Sequence, residues 1–189
     1  MKKVDVVVSF DTTGSMYPCL TQVRRRVNEM IDRLFREIPN LRVGIIAHGD
    51  YCDRHSTYVT KTLELTGDRN RLYRFVSDVP ATGGGDAPEC YELVLHEARS
   101  FNWGPDAKTL VVIGDDVPHS PSYPDNKDRL DWRNEIELLL KMGVNVYGVQ
   151  ALNRSHATSF YREIAERTGG FHLTLDQFSN VVEVVMAIC

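Results

Sequence analysis

The chain has 189 residues, 42% hydrophobic and 25% charged, with a formal net charge of −4. That is the size of one domain able to bury a core without staples. With no concentrated basic stripe and no apolar run near the about 20 residues that span a bilayer, neither nucleic acid nor membrane is expected as a partner.

The elements follow in chain order. Val4–Phe10 is almost wholly apolar and β-branched, as a buried strand is. From Met16 to Glu37 the apolar residues Leu20, Val23, Val27, Met30, Ile31, Leu34 and Phe35 recur at helical spacing, and Pro39 closes that helix. Leu41–His48 predicts a second buried strand, followed by a polar loop from Gly49 to His55. Thr57–Leu65 alternates and is rich in Thr and Tyr, which predicts an antiparallel edge strand. A helix over Asp68–Val79, with Asp68 as its cap, leads to a glycine-rich loop, Pro80–Pro88, and a helix over Glu89–Phe101. Thr109–Ile113 is a strand, Val117–Asp128 a proline-bearing loop, and Leu130–Met142 a helix stopped by Gly143. Val144–Ala151, Ser155–Thr168 and Phe171–Leu175 read as strand, helix and short strand, and Asp176–Ala187 as the last helix. The chain stops inside that helical pattern, so the expectation is a single domain over residues 1–189, cut from a longer protein.

Strands separated by helices of this length form βαβ units. The expected fold is therefore α/β: a Rossmann-like, doubly wound, mostly parallel six-stranded sheet with one antiparallel edge strand and helices on both faces. Ligands of such sheets sit at the carboxyl ends of the strands. Three oxygen-rich segments fall at that edge: Asp11-Thr12-Thr13-Gly14-Ser15, Thr82-Gly83-Gly84-Gly85-Asp86 and Gly114-Asp115-Asp116. In the first, a carboxylate and two hydroxyls alternate along a turn. Oxygen ligands are what Mg²⁺, Mn²⁺ and Ca²⁺ prefer, so Asp11, Thr13 and Ser15 outline a hard-cation site.

These three segments, in this order and on these elements, resemble the metal-ion-dependent adhesion site of von Willebrand factor type A domains. The resemblance extends over essentially the whole chain. It implies that Asp11, Thr13 and Ser15 are joined at the metal by Thr82 and Asp115, with hydroxyls as direct ligands and the carboxylates often acting through water. It implies Mg²⁺, with Mn²⁺ or Ca²⁺ as alternatives, and a partner protein that completes the coordination with a Glu or Asp. The implied function is cation-dependent protein binding without catalysis. A glycine commonly follows the third motif in the family; here Asp116 does, so Asp115 and Asp116 compete for the role, with strand register favouring Asp115. Asp86 stands beside the site as a charge that tunes it or as a helix cap.

The alternatives are specific. Asp11 and Ser15 could cap the first helix. Gly83–Gly85 could cradle a phosphate through backbone N–H groups, although no Lys follows at P-loop spacing. An Mg²⁺-dependent phosphatase or phosphotransferase of the haloacid dehalogenase kind also places an Asp after its first strand; it needs a second Asp where Thr13 stands. Asp50, Cys52, Asp53 and His55 carry zinc donors at no known zinc spacing. Arg24-Arg25-Arg26 reads as a solvated helix face. His48 and His119 read as hydrogen-bonded loop histidines, and Tyr17, Tyr51 and Tyr123 as a candidate rim of a binding surface. Trp103 and Trp132 read as helix-packing residues. The cysteines Cys19, Cys52, Cys90 and Cys189 are scattered without a CxxC pair, and Asp5 interrupts the apolar run behind Met1-Lys2-Lys3, so no signal peptide and a reduced, cytoplasmic setting are expected.

Overall fold

A computed structural model describes residues 2–85 and 87–187. Asp86 and Cys189 lie outside the described residues. Six strands, β1 (Val4–Asp11), β2 (Leu41–His48), β3 (Thr60–Thr66), β4 (Ala107–Gly114), β5 (Val144–Gln150) and β6 (His172–Thr174), form one sheet in the order β3-β2-β1-β4-β5-β6. All neighbours pair in parallel except β3, which runs antiparallel to β2 from Val43↔Thr66 to His48↔Thr60. The fold is the expected α/β architecture with one antiparallel edge strand.

Six helices cover the sheet: α1 (Leu20–Glu37), α2 (Arg69–Asp78), α3 (Tyr91–Ala98), α4 (Trp132–Lys141), α5 (Thr158–Thr168) and α6 (Ser179–Ala187). Successive side chains of a strand point to opposite faces, and β1 shows the consequence. Val4, Val6, Val8 and Phe10 enter the core under α1, α2 and α6, while Val7 enters the core under α3, α4 and α5. Strand β4 divides its residues the same way, Val111 and Ile113 to the first core and Leu110 and Val112 to the second. Among the described residues no helix is long and apolar enough to cross a membrane.

The differences from the sequence expectation gather at the carboxyl edge. The first helix begins at Leu20, not Met16, because Gly14–Met16 forms a separate 3-10 turn. Helix α3 begins at Tyr91, since Glu89 instead bridges to Pro118. Helix α5 begins at Thr158, leaving residues 151–157 as a loop. Elsewhere the local signals hold. Asp68 caps α2 by accepting from the amides of Asn70 and Arg71, and Gly169 ends α5 in the left-handed region at φ 74°.

Candidate metal centre at the carboxyl edge

Strand β1 delivers Asp11 to the carboxyl edge fully buried. Thr13 continues in extended conformation, at φ −68° and ψ 167°, so Asp11 and Thr13 share a side and Thr12 points away from them. Asp11 Oδ1 accepts the Thr13 amide at 2.8 Å and the Thr13 hydroxyl at 2.7 Å. The Thr13 hydroxyl lies 3.2 Å from that of Ser15, and Ser15 donates to Asp115 Oδ1 at 2.9 Å. Four residues separated by up to 104 positions thus form one chain of oxygens, Asp11–Thr13–Ser15–Asp115. Ser15 is its half-buried, outward member; the other three are buried. Neither Asp11 nor Ser15 caps α1, whose N-cap is Cys19 with no side-chain hydrogen bond.

Two close backbone approaches make this possible. The Gly14 amide donates to Gly83 O at 2.9 Å, and a Cβ on Gly14 would meet that oxygen at 2.7 Å. A Cβ on Gly114 would stand 2.0 Å from the Tyr91 hydroxyl. That hydroxyl, buried on the first turn of α3, donates to Asp11 Oδ2 at 2.6 Å and accepts the amides of Asp115 at 3.2 Å and Asp116 at 3.4 Å. Tyr91 therefore fixes the distance between the first and third motifs.

Thr82 takes a different place. Its amide donates to Thr12 O at 2.8 Å, and its hydroxyl lies 3.2 Å from that of Thr12, which also donates to His48 O and touches the Tyr58 hydroxyl. In this structure the Thr82 hydroxyl faces the even-numbered side of the loop, away from the Asp11–Asp115 chain. Asp115 and Asp116 also separate. Asp116 Oδ1 accepts the Val117 amide and sits 3.1 Å from His156 Nε2, so only Asp115 reaches Ser15.

Acidic groups crowd together here. Burial, and then the charge of Asp11, push the Asp115 carboxyl up to about 6, against the pull of Ser15 and Arg154. Glu89, buried beside Thr13, is pushed up to about 10 by burial and by Asp11 and Asp50, and its Oε2 has no hydrogen-bond partner. Arg154 Nε lies 2.8 Å from Asp115 Oδ2, but not in hydrogen-bonding alignment, and that oxygen accepts no hydrogen bond. Among the described residues no three His, Cys, Asp or Glu side chains form a metal-holding group. Hydroxyl oxygens must therefore supply part of any ligand set here. The donor chemistry fits a hard cation: carboxylate and hydroxyl oxygens, with the buried Asp115 Oδ2 unclaimed by hydrogen bonds.

The remaining candidates are absorbed into structure. Asp53 accepts the amides of Asp50, Gly83 and Gly84 at 2.9–3.1 Å, so two of the amides that could cradle a phosphate are engaged by a carboxylate. Asp50, Cys52, Asp53 and His55, whose spacing fits no zinc pattern, are placed apart in role: Asp50 pairs with His119 at 2.8 Å, and Cys52 and His55 are exposed. His48 is buried and held low by desolvation. Of the three rim tyrosines only Tyr17 is exposed, at 57%; its hydroxyl donates to Thr82 O. Tyr123 stacks on His119 at 3.7 Å, and Tyr51 donates to Glu92. Arg24 caps the end of α2 through Ser77 O and Val79 O, and Arg26 pairs with Glu29, as a solvated helix face does. Trp103 and Trp132 pack, the latter edge-on to Phe160.

Sequence reasoning missed Tyr91, Glu89 and Arg154. Arg154 alone had a usable signal, as a basic residue in the loop leaving the carboxyl end of β5.

Residues 5–177 match the von Willebrand factor A domain family. The chain is 26% identical over 190 residues to an ariadne-like RING finger protein of Acanthamoeba polyphaga mimivirus, covering 92% of this chain and 18% of that protein. It is 27% identical over 126 residues to the alpha-protein kinase vwkA of Dictyostelium discoideum, covering 64% and 19%. It thus spans under a fifth of the length of either relative. Its fold is similar to that of the pilus adhesin SpaC of Lactobacillus rhamnosus GG in an open conformation, with a TM-score of 0.73 at 15% identity over 98% of this chain and 30% of that one.

Proposed function

The chain belongs to the von Willebrand factor A domain family, which typically mediates protein–protein interaction, and on that premise we propose that this domain binds its partner through a divalent cation held at Asp11, Thr13, Ser15 and Asp115. The observation that carries the reading is the single hydrogen-bonded chain of those four residues at the carboxyl edge of the sheet. Thr82 is the fifth residue of the proposal; its hydroxyl has to leave Thr12 to join the others. Mg²⁺ suits such a site because it retains several waters and tolerates few direct protein ligands. Bound there, it supplies a positive charge only partly neutralised by the protein, and a Glu or Asp of the partner is the group such a charge selects.

The chain's own residues set the conditions for that contact. Tyr91 and Gly114 hold Asp115 in register with Asp11. Gly83 O holds the Gly14–Ser15 turn. Half-buried Ser15 faces the solvent side, where a partner side chain approaches. We read the domain as non-catalytic and as cytoplasmic; its four cysteines are scattered without a CxxC pair, which agrees with a reducing compartment.

The test is a calorimetric Mg²⁺ titration of the wild type and the Ser15→Ala/Thr82→Ala double variant, beside a phosphomonoester assay. Weakened Mg²⁺ binding in a folded variant, with no phosphate release from the wild type, supports the reading. Phosphate release that disappears in Asp11→Ala overturns it in favour of a phosphatase.

A further inference from the structure

Arg154 is the one arginine with a charge contact in the Asp11–Asp115 chain among the described residues, and its position has a second meaning. Its Nε stands 2.8 Å from Asp115 Oδ2, the carboxylate oxygen that Ser15 leaves unclaimed, while the guanidinium is 39% exposed and Asp115 is fully buried. The pair is asymmetric: one partner is fixed in the core and the other reaches in from solvent. The backbone of Arg154 is pinned independently of that contact. Its carbonyl accepts Gln150 Nε2 at 2.8 Å and the Ala157 amide at 3.0 Å, its amide donates to Leu152 O, and Gln150 in turn accepts from Thr158. The side chain can therefore swing out while the loop stays in place.

Resting on the cation-site reading above, we propose that Arg154 is the site's resident cation: its guanidinium occupies the charge position of the divalent ion in the cation-free protein, yields it on binding, and so sets the site's affinity. The physical reason is charge balance. Buried carboxylates need a compensating positive charge, and Asp11 and Asp115 lie together where, among the described residues, Arg154 alone supplies one to Asp115. A divalent ion at Ser15 and Asp115 replaces that charge and doubles it, and the guanidinium then has water to move into. Because the arginine is partly exposed, it is weakly held, as a displaceable cation must be. By contrast Arg42 is bidentate on Asp5 at the other end of the sheet and has no such freedom.

The experiment compares the wild type, Arg154→Gln and the control Arg167→Gln, which removes the same charge in the last turn of α5. Each is titrated with Mg²⁺ and melted in chelator and in saturating Mg²⁺. The proposal expects Arg154→Gln to bind Mg²⁺ about twofold to fivefold more tightly than wild type, the range that removing one partly exposed ion pair supports, with Arg167→Gln unchanged. It also expects Arg154→Gln to melt below wild type in chelator and to lose that deficit in Mg²⁺. Equal or weaker Mg²⁺ binding by Arg154→Gln, with the same melting deficit in both media, makes the contact a structural tether and overturns the proposal while leaving the cation site standing. Absence of Mg²⁺ binding and of any Mg²⁺-dependent melting shift in all three proteins removes the site itself, and this proposal with it.

Discussion

Strand β1 carries a buried aspartate near each end, and the two are compensated in opposite ways. Asp5, at the amino edge, is bidentate with Arg42 at 2.9 and 2.7 Å and also accepts the Gly104 amide. Asp11, at the carboxyl edge, has among the described residues only neutral donors, namely the Thr13 amide and hydroxyl and the Tyr91 hydroxyl. Around it gather Asp115 and Glu89, with Arg154 as a half-exposed counter-charge. One edge brings its own cation and is finished when the chain folds. The other edge is left acidic. On the proposed reading, that difference separates a carboxylate that serves stability from acidic groups that serve binding, in keeping with the clustering of costly, under-compensated charge at functional sites.

The largest expected effect breaks the finished edge. Asp5→Ala leaves the part-exposed Arg42 and the Gly104 amide without their shared acceptor, and losing charge-assisted hydrogen bonds of this kind costs about 2–3 kcal/mol. The loss, read by denaturant unfolding, is expected to be the same with and without Mg²⁺. Next is the pH response of the acidic edge. Burial raises Glu92 from its ordinary 4.5 to about 7. The folded protein then binds that proton more tightly than the unfolded chain, so Glu92's contribution to stability is full below about 4.5 and is lost as pH rises through about 7. Glu92→Gln is expected to flatten that fall by an amount on the order of 1–3 kcal/mol, seen as the difference between two melting-versus-pH profiles. His48 has the opposite sign, because its folded value is lowered; it is common to both proteins and cancels in the difference.

Two smaller effects sharpen the contrast. Asp11→Asn removes a charge that has no cationic partner, so it is expected to change stability by less than about 1 kcal/mol while weakening Mg²⁺ binding about tenfold, or about 1.4 kcal/mol. Paired unfolding and titration of that one variant set the acidic edge directly against Asp5→Ala. Thr82→Val is expected to act least. It deletes the hydroxyl contact to Thr12, worth about 0.5–1.5 kcal/mol, and removes the fifth oxygen of the proposed site, so Mg²⁺ binding is expected to weaken by less than the about tenfold of Asp11→Asn.

The scaffold was legible because each strand and helix advertises itself locally. The β-branched run Val6–Val8, the 3.6-residue stripe Leu20–Leu34 and the cap Asp68 all act over a few residues, and each appears where expected. The three motifs were legible because strand ends of a parallel sheet deliver their loops to one edge, and Asp11, Thr13, Ser15 and Asp115 do meet there. What was not legible depends on side chains meeting across long separations. The start of α1 shifts from Met16 to Leu20 because the Gly14 amide is bonded to Gly83 O, 69 positions away, and Ser15 to Asp115, 100 positions away. The orientation of Thr82 follows from strand alternation: Thr12 points opposite to Asp11 and Thr13 and captures it. Tyr91 carries no periodic signal of its role, since a tyrosine on the first turn of a helix reads as core. Arg154 could have been found by applying the carboxyl-edge rule to β5 as it was applied to β1 and β4.

The central claim is that the acidic edge is a cation site built largely from hydroxyls, and Ser15 tests it most directly. It is half-buried, does not cap α1, and among the described residues its side chain bonds to Thr13 and Asp115. The decisive measurement is therefore the Mg²⁺ affinity of Ser15→Ala by calorimetry, with wild type alongside. The account predicts at least about tenfold weaker binding at an unchanged melting temperature in chelator. Undiminished Mg²⁺ affinity in Ser15→Ala would contradict it.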